Sequence, residues 1–409
     1  MLKHTNDNKF FKSLSYIVVS GASKGLNYVL LLYLAVGQYS EQYIAILLLF
    51  SLEQILSLVL PLNQSNIIYS KSISDYKLIT NKLISSSLII VVFFVLVFFA
   101  LKQYIYNYFN VHEGIVFFSL FISMTINSYL TYLTNYYKLV EEHGKALLVQ
   151  GLLMISFLSI LLHIIFVEDK VVAFFLGKAL GLLFVFLLVK FLHLTKFKYK
   201  IDFLSFNDIK QVLNLFSVSA LGWVSGLGFM NLAKIYSSPN QLVEIGYILN
   251  IFNVFLLISI GVNSIYGPLI KKHLTKNELN SVVKIKTQTL VIYLLIASLL
   301  MLFYVVLINL GFDFSNKVEQ VLSVIPYALL LFIFNVFHWI AQPFYMVNNK
   351  FNSYNYINIF SYVFWVVIIV VSLYFGYKDF IVFLMLIHFI KGLLSYFYAR
   401  TKFMATKIN

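Results

Sequence analysis

The sequence predicts an all-α polytopic membrane protein. About twelve transmembrane helices fall into two six-helix halves, related by a pseudo-two-fold axis along the membrane normal. Three observations carry this. The 409 residues are 61% hydrophobic and only 11% charged, a composition of bilayer proteins rather than globular ones. The apolar residues gather into stretches long enough to cross a hydrocarbon core of ~30 Å, for which about 20 residues are needed. The basic residues sort into alternate loops.

Twelve spans are read, at 14–36, 43–62, 83–101, 115–137, 146–166, 171–189, 211–233, 242–265, 287–308, 321–346, 353–375 and 380–398. The closest pairs of spans are joined at Glu168-Asp169-Lys170 and at Gly376 to Asp379. With both chain ends cytoplasmic, 22 of the 30 lysines and arginines lie in cytoplasmic segments. Five lie in outer loops, at Lys102, Lys170, Lys234, Lys317 and Lys378, and three lie within spans, at Lys24, Lys178 and Lys391. This is the positive-inside pattern, and one missed or invented span would scramble it. The net charge of +14 is therefore a topology signal and does not point to nucleic acid. The N-terminal apolar stretch is too long for a signal-peptide core, and no small-residue cleavage site follows it. With no cysteine, disulfides, thiol chemistry and Cys-ligated metals are excluded.

The segment from Lys190 to Lys210 is the largest cytoplasmic one and reads as a linker. It gives an N-terminal half at 1–195, a basic linker at 196–210 and a C-terminal half at 211–409. Shifting by 200 residues lays Leu49, Leu56, Asn63 and Lys71 over Leu249, Leu256, Asn263 and Lys271. Six spans per half keep the halves in one orientation, which is a parallel repeat.

Polar residues inside the spans mark the candidate site. Lys24 is the eleventh residue of the 23 in span one, and Glu53 the eleventh of the 20 in span two. Each is near the midplane, where a charge costs at least ~2.5–3.5 kcal/mol and needs a partner or a wet cavity. Lys24 and Glu53 are thus expected to pair, whether to serve transport or to hold spans one and two together. Ser20 and Asn27 share the helix face of Lys24, and Gln54 adds polarity beside Glu53. Span eight answers with the amides Asn250 and Asn253. Span seven is rich in small residues; Gly222 and Gly226 suit close helix packing or a bend. Lys178 lies eight residues into span six and either snorkels outward or faces the interior. Lys391 is read the same way. Asn335, His338 and Gln342 share one face of span ten, while His163 and His388 read as isolated. No HExxH, DxD, P-loop or GxSxG constellation is found, so no enzymatic chemistry is expected.

The stretch Ser20-Gly21-Ala22-Ser23-Lys24-Gly25-Leu26-Asn27-Tyr28-Val29-Leu30-Leu31-Leu32-Tyr33-Leu34 resembles the first helix of polysaccharide flippases of the O-antigen type. These belong to the multidrug/oligosaccharidyl-lipid/polysaccharide exporter superfamily. Gly37-Gln38-Tyr39-Ser40-Glu41-Gln42-Tyr43 resembles the L-S-P-x-x-Y/F-G link before that family's second helix, with the Pro absent and Ala45 near where a Gly is common. The resemblance implies a V-shaped alternating-access bundle in a bacterial cytoplasmic (inner) membrane. It implies a lipid-linked substrate, an undecaprenyl pyrophosphate bearing a sugar repeat, moved outward for O-antigen, lipopolysaccharide or capsule synthesis. Polysaccharide polymerase machinery would be a partner, alongside membrane lipids. No cofactor is implied, and coupling to a Na+ or H+ gradient stays open. On this reading Lys24 binds the headgroup, Glu53 holds Lys24 until substrate arrives, and Lys178 is a second cation. Ser20, Asn27, Gln54, Asn250 and Asn253 face sugar hydroxyls. A drug or small-cation exporter of the same superfamily is the rival, since Glu53 is an acid deep in a span. A membrane glycan polymerase ranks below both, because no large outer loop is present.

Overall fold

The computed structural model describes residues 25–36, 40–60, 76–139, 142–194, 202–206, 208–209, 220–276, 278–309, 316–347 and 351–401, together with residues 19 and 22. Every regular element among them is a helix. In chain order these are α1 (Gly25–Val36), α2 (Ser40–Val59), α3 (Tyr76–Ala100), α4 (Lys102–Phe109) and α5 (Gly114–Leu139). Then come α6 (His143–Leu152), α7 (Met154–Phe166), α8 (Lys170–Phe191), α9 (Phe229–Tyr236) and α10 (Pro239–Thr275). The last are α11 (Leu279–Asn309), α12 (Asn316–Ser323), α13 (Ile325–Val347), α14 (Phe351–Tyr374) and α15 (Phe380–Ala399).

Nine helices among the described residues are long and apolar enough to cross a membrane, and two shorter apolar helices cover Gly25–Val36 and Gln42–Ser57. They coincide with the expected spans one to six and eight to twelve. Span seven lies partly outside the described residues. Several helices outrun their spans: α10 continues for 37 residues, against the 24 expected. Its extra turns carry Lys271, Lys272 and His273, good enough helix formers to extend the rod beyond the apolar stretch.

The chain divides into two compact units. One comprises Met1–Asn27 and Glu41–Trp223, the other Tyr28–Ser40 and Val224–Asn409. Within each unit the last helix packs on two others: α8 on α5 and α7, and α15 on α13 and α14. Both last helices start with an aspartate cap. Asp169 accepts hydrogen bonds from Val171 N and Val172 N at 2.8 and 3.0 Å. Asp379 accepts from Ile381 N and Val382 N at 3.0 and 3.2 Å. The carboxylates satisfy amides that a helix start leaves open, and favour the positive dipole end. The two closest span junctions are thus sealed turns.

Glycines set the closest approaches. A Cβ on Gly181 would stand 2.6 Å from Ser156 Cα, and one on Gly177 would stand 2.9 Å from Ile160 Cα. Together they form a small-x-x-x-small seam that lets α8 press on α7. In the other unit a Cβ on Gly392 would stand 2.3 Å from Phe334 O, marking where α15 meets α13. Gly222 is different: a Cβ there meets nothing within 4 Å, so tight packing is not its role. Tyrosines tie helix ends across the first unit. Tyr132 Oη donates to Leu60 O at 3.1 Å, and Tyr137 Oη donates to Leu194 O. Much of the outer surface is apolar, as at Leu294, Leu295 and Leu299 on α11, which suits hydrocarbon and not water.

Candidate functional site

In the first unit one buried ion pair dominates. Lys178 Nζ on α8 lies 2.6 Å from Glu53 Oε1 and 2.7 Å from Glu53 Oε2 on α2. Glu53 is 4% exposed and Lys178 7%. The lysine does not snorkel outward. A carboxylate offering both oxygens in a low-dielectric interior holds the ammonium more strongly than a distant interface does. Phe50, one turn before Glu53, places its ring centroid 5.0 Å from the ammonium. Phe174, one turn before Lys178, meets Phe50 edge-on at 6.2 Å. The pair is thereby roofed by aromatic rings, which adds a cation–π contact. A second link, Lys170 N to Gln42 Oε1 at 3.1 Å, lies toward the start of both helices. The two contacts rise in step, so α2 and α8 run parallel, as spans two and six of an alternating bundle must. Trp223 Nε1 donates to Ser51 O at 2.8 Å on the same helix.

The expected partner of Glu53 was Lys24. Lys24 and Ser20 lie outside the described residues, and the cation found on Glu53 is Lys178. Asn27 has a buried Oδ1 without a hydrogen-bond partner. Gln54 is half-buried beside Glu53. Asn250 and Asn253 are buried one turn apart on α10 in the second unit, and Asn253 Nδ2 has no hydrogen-bond partner.

The second unit holds a polar network that sequence reading resolved only in part. The helix around span seven breaks at residues 225–228. There Phe229 N bonds Gly226 O, Met230 N bonds Leu227 O and Asn231 N bonds Gly228 O, at 3.0, 3.1 and 3.1 Å. These are the tighter i to i−3 bonds of a 3₁₀ turn, and the carbonyl of Ser225 lies at its start. His388 Nε2 on α15 meets that carbonyl at 2.7 Å. A carbonyl only accepts, so Nε2 carries the proton and Nδ1 accepts. Asn335 Nδ2 supplies the donor at 2.7 Å and uses its other hydrogen on Leu331 O at 2.8 Å. Tyr362 Oη donates to Ser225 Oγ at 2.6 Å. His388 is therefore not isolated; it bridges α13 and α15 to the broken helix.

His338 lies one turn along α13 from Asn335. Its Nδ1 meets Ser395 Oγ at 3.1 Å and its Nε2 meets Tyr354 Oη at 2.7 Å. Tyr345 Oη donates to Ser395 O at 2.9 Å. Lys391, 7% exposed, sits on the same face of α15, between His388 and Ser395. The spacing 388, 391, 395 was a legible signal, since residues three and four apart share a helix face. His163 meets Ser159 O at 2.8 Å, one turn back on its own helix, a local contact only. Among the described residues no group of three or more His, Cys, Asp or Glu side chains could hold a metal ion.

No protein-family model matches the chain, and no curated protein matches it. Solved structures match over nearly its whole length. An inward-facing multidrug resistance MATE family transporter of the MOP superfamily matches at a TM-score of 0.66 and 13% identity, covering 95% of this chain and 98% of the other. A MATE protein in complex with MaL6 matches at 0.65 and 13%, covering 95% of each chain. A MOP superfamily transporter from Pyrococcus furiosus matches at 0.65 and 13%, covering 96% of this chain and 95% of the other; its description reports a binding pocket of reverse polarity and suggests a different function. The chain thus has the fold of the MATE structures it matches, an all-helical, multi-pass membrane fold.

Proposed function

We propose that this chain is a MOP-type transporter of an anionic, lipid-linked substrate: an undecaprenyl pyrophosphate bearing a sugar repeat, moved outward across a bacterial cytoplasmic membrane for surface polysaccharide synthesis. Halves at 1–195 and 211–409, with both ends cytoplasmic, would alternate access to the headgroup while the polyprenyl tail stays in lipid. One observation supports this most. Among the described residues the buried charged side chains are Glu53, Lys170, Lys178 and Lys391, so there cations outnumber the one carboxylate. Lys170 Nζ is taken up by Ile164 O and Val167 O, each at 2.9 Å. Glu53 is neutralised by Lys178. What is left over is positive, which favours phosphate over a cationic drug. Lys24 adds to that excess from the sequence. The Pyrococcus furiosus transporter, with its pocket of reverse polarity, shows that this fold accommodates more than one polarity.

A drug-exporter reading has its own support in the multidrug transporters among the structural matches. It requires Glu53 to leave Lys178 and meet a cation. Deleting the gene in the native host separates the two. The flippase reading expects carrier-linked repeat to build up on the cytoplasmic face and surface polysaccharide to be lost. An unchanged glycan pool with raised drug sensitivity refutes it. A normal outward-facing pool of unpolymerised repeats points to a polymerase instead.

A further inference from the structure

Lys391 is the one buried cation whose charge nothing described here balances. Lys178 has Glu53, and Lys170 has two carbonyls. Lys391 has no carboxylate and no hydrogen-bond acceptor among the described residues. The described acids of its unit are elsewhere: Glu244, Glu278 and Glu319 are exposed, and Asp379 caps the start of α15. The neighbouring polar groups are committed. Both nitrogens of His388 and both of His338 are already bonded. Ser395 O is held by Tyr345, and Ser225 Oγ by Tyr362. Lys391 lies one turn from both His388 and Ser395 on one face of α15. A chain that keeps an ammonium there needs an anion from outside.

The surroundings say which kind. An ammonium offers three donors, and those of Lys391 have no acceptor among the described residues. Three donors on one buried cation suit an oxyanion with many acceptor oxygens, and charge-assisted bonds to it are the strong ones. We propose that Lys391 anchors a phosphate-binding site in the C-terminal unit. The seam between α13 and α15 is closed beside it at Gly392, so loading accompanies opening of that seam. The proposal rests on the reading that the cargo is anionic, and it assigns that cargo's phosphate a contact. The phosphate could be lipid-borne or free.

The test uses the purified full-length chain in detergent at fixed chloride. Equilibrium binding of radiolabelled inorganic pyrophosphate and of farnesyl pyrophosphate is measured for wild type, Lys391→Gln and Lys391→Arg. Wild type is expected to bind at least one probe. Lys391→Gln should weaken it by ~30-fold or more, as truncating one partner of a buried charge contact does. Lys391→Arg should stay within about tenfold, since it keeps the charge but not the point geometry. Binding of farnesyl pyrophosphate alone assigns the site to a lipid headgroup; binding of both assigns it to phosphate as such. No binding of either probe by wild type, or equal binding by Lys391→Gln, overturns the site. Should Lys391→Gln fail to fold, wild type is treated with pyridoxal 5′-phosphate and borohydride and mapped by mass spectrometry. Label on Lys391 that pyrophosphate prevents supports the site; its absence overturns it. A normal glycan pool in the deletion strain refutes the transport reading yet leaves these binding results standing, so the two fail separately.

Discussion

Removing either member of the Glu53–Lys178 pair should destabilise the protein far more than removing both. Glu53→Met leaves an ammonium buried at 7% exposure with no carboxylate on it. Lys178→Met leaves the opposite charge stranded. Breaking a buried pair in this way costs about 3–5 kcal/mol. Replacing both with methionine removes two desolvation penalties at once, and such replacements run from neutral to stabilising by about 1–4 kcal/mol. The flexible thioethers can fill the gap under Phe50 and Phe174. The two single costs therefore should not add; the cycle should show a coupling of at least ~3 kcal/mol. The assay is unfolding of purified protein in mixed micelles, followed by tryptophan fluorescence against denaturant, with expression level as a second readout. If either single variant loses less than about 1 kcal/mol, or if the double variant loses the sum of both, the charges are not paired as described. A double variant that folds well and does not transport would show that the pair is retained for function rather than stability.

Four further outcomes are expected. A Glu53→Lys, Lys178→Glu exchange should restore expression better than Glu53→Lys with Lys24→Glu, as Western blotting of membranes would show; the reverse order refutes the assignment of Lys178 as the partner. Gly181→Ala and Gly392→Ala, whose Cβ atoms would stand 2.6 and 2.3 Å from backbone atoms, should each cost about 1–3 kcal/mol by overpacking; Gly151→Ala, with nothing within 4 Å, should be neutral or gain up to about 1 kcal/mol of helix stability, all read by thermal unfolding. His388→Phe should cost about 1–3 kcal/mol, because it removes the buried hydrogen bonds of His388 to Ser225 O and Asn335 Nδ2, and hydrogen exchange at residues 225–229 should rise with it. Lys24→Gln, at normal expression, should cut glycan export at least tenfold if Lys24 touches the headgroup; export like wild type removes that role.

The fold was legible because a bilayer imposes long apolar runs that a window of sequence cannot hide. Eleven of the expected spans coincide with described helices, and the close junctions at Asp169 and Asp379 proved to be capped turns. The seventh, read at 211–233, falls partly outside the described residues. The site was legible by type and not by partner. Glu53 was recognisable from its depth, yet depth alone cannot choose between Lys24 and Lys178; that choice depends on α2 and α8 running side by side, a tertiary fact. The same limit hid the bridge from His388 to Ser225, residues 163 positions apart. Of the two readings of Gly222, close packing or a bend, the space around it speaks against the first, while Gly177 and Gly181, whose neighbours include Lys178, form the tight seam.

The turn between α7 and α8 bears on how the chain enters a membrane. Asp169 closes the amides of one helix, and the ammonium of Lys170 closes carbonyls at the end of the helix before it. Two adjacent residues of opposite sign thus cover backbone groups that would each cost several kcal/mol if left bare in hydrocarbon. A helical hairpin sealed at its tip can be handed from translocon to lipid as one body, with the charges of Asp169 and Lys170 offsetting each other. Span six by itself would carry Lys178 into the bilayer before Glu53 was there to receive it. The hairpin's cost of insertion is therefore expected to fall once α2 is in place, which makes the order of synthesis, α2 before α8, part of how this protein is built.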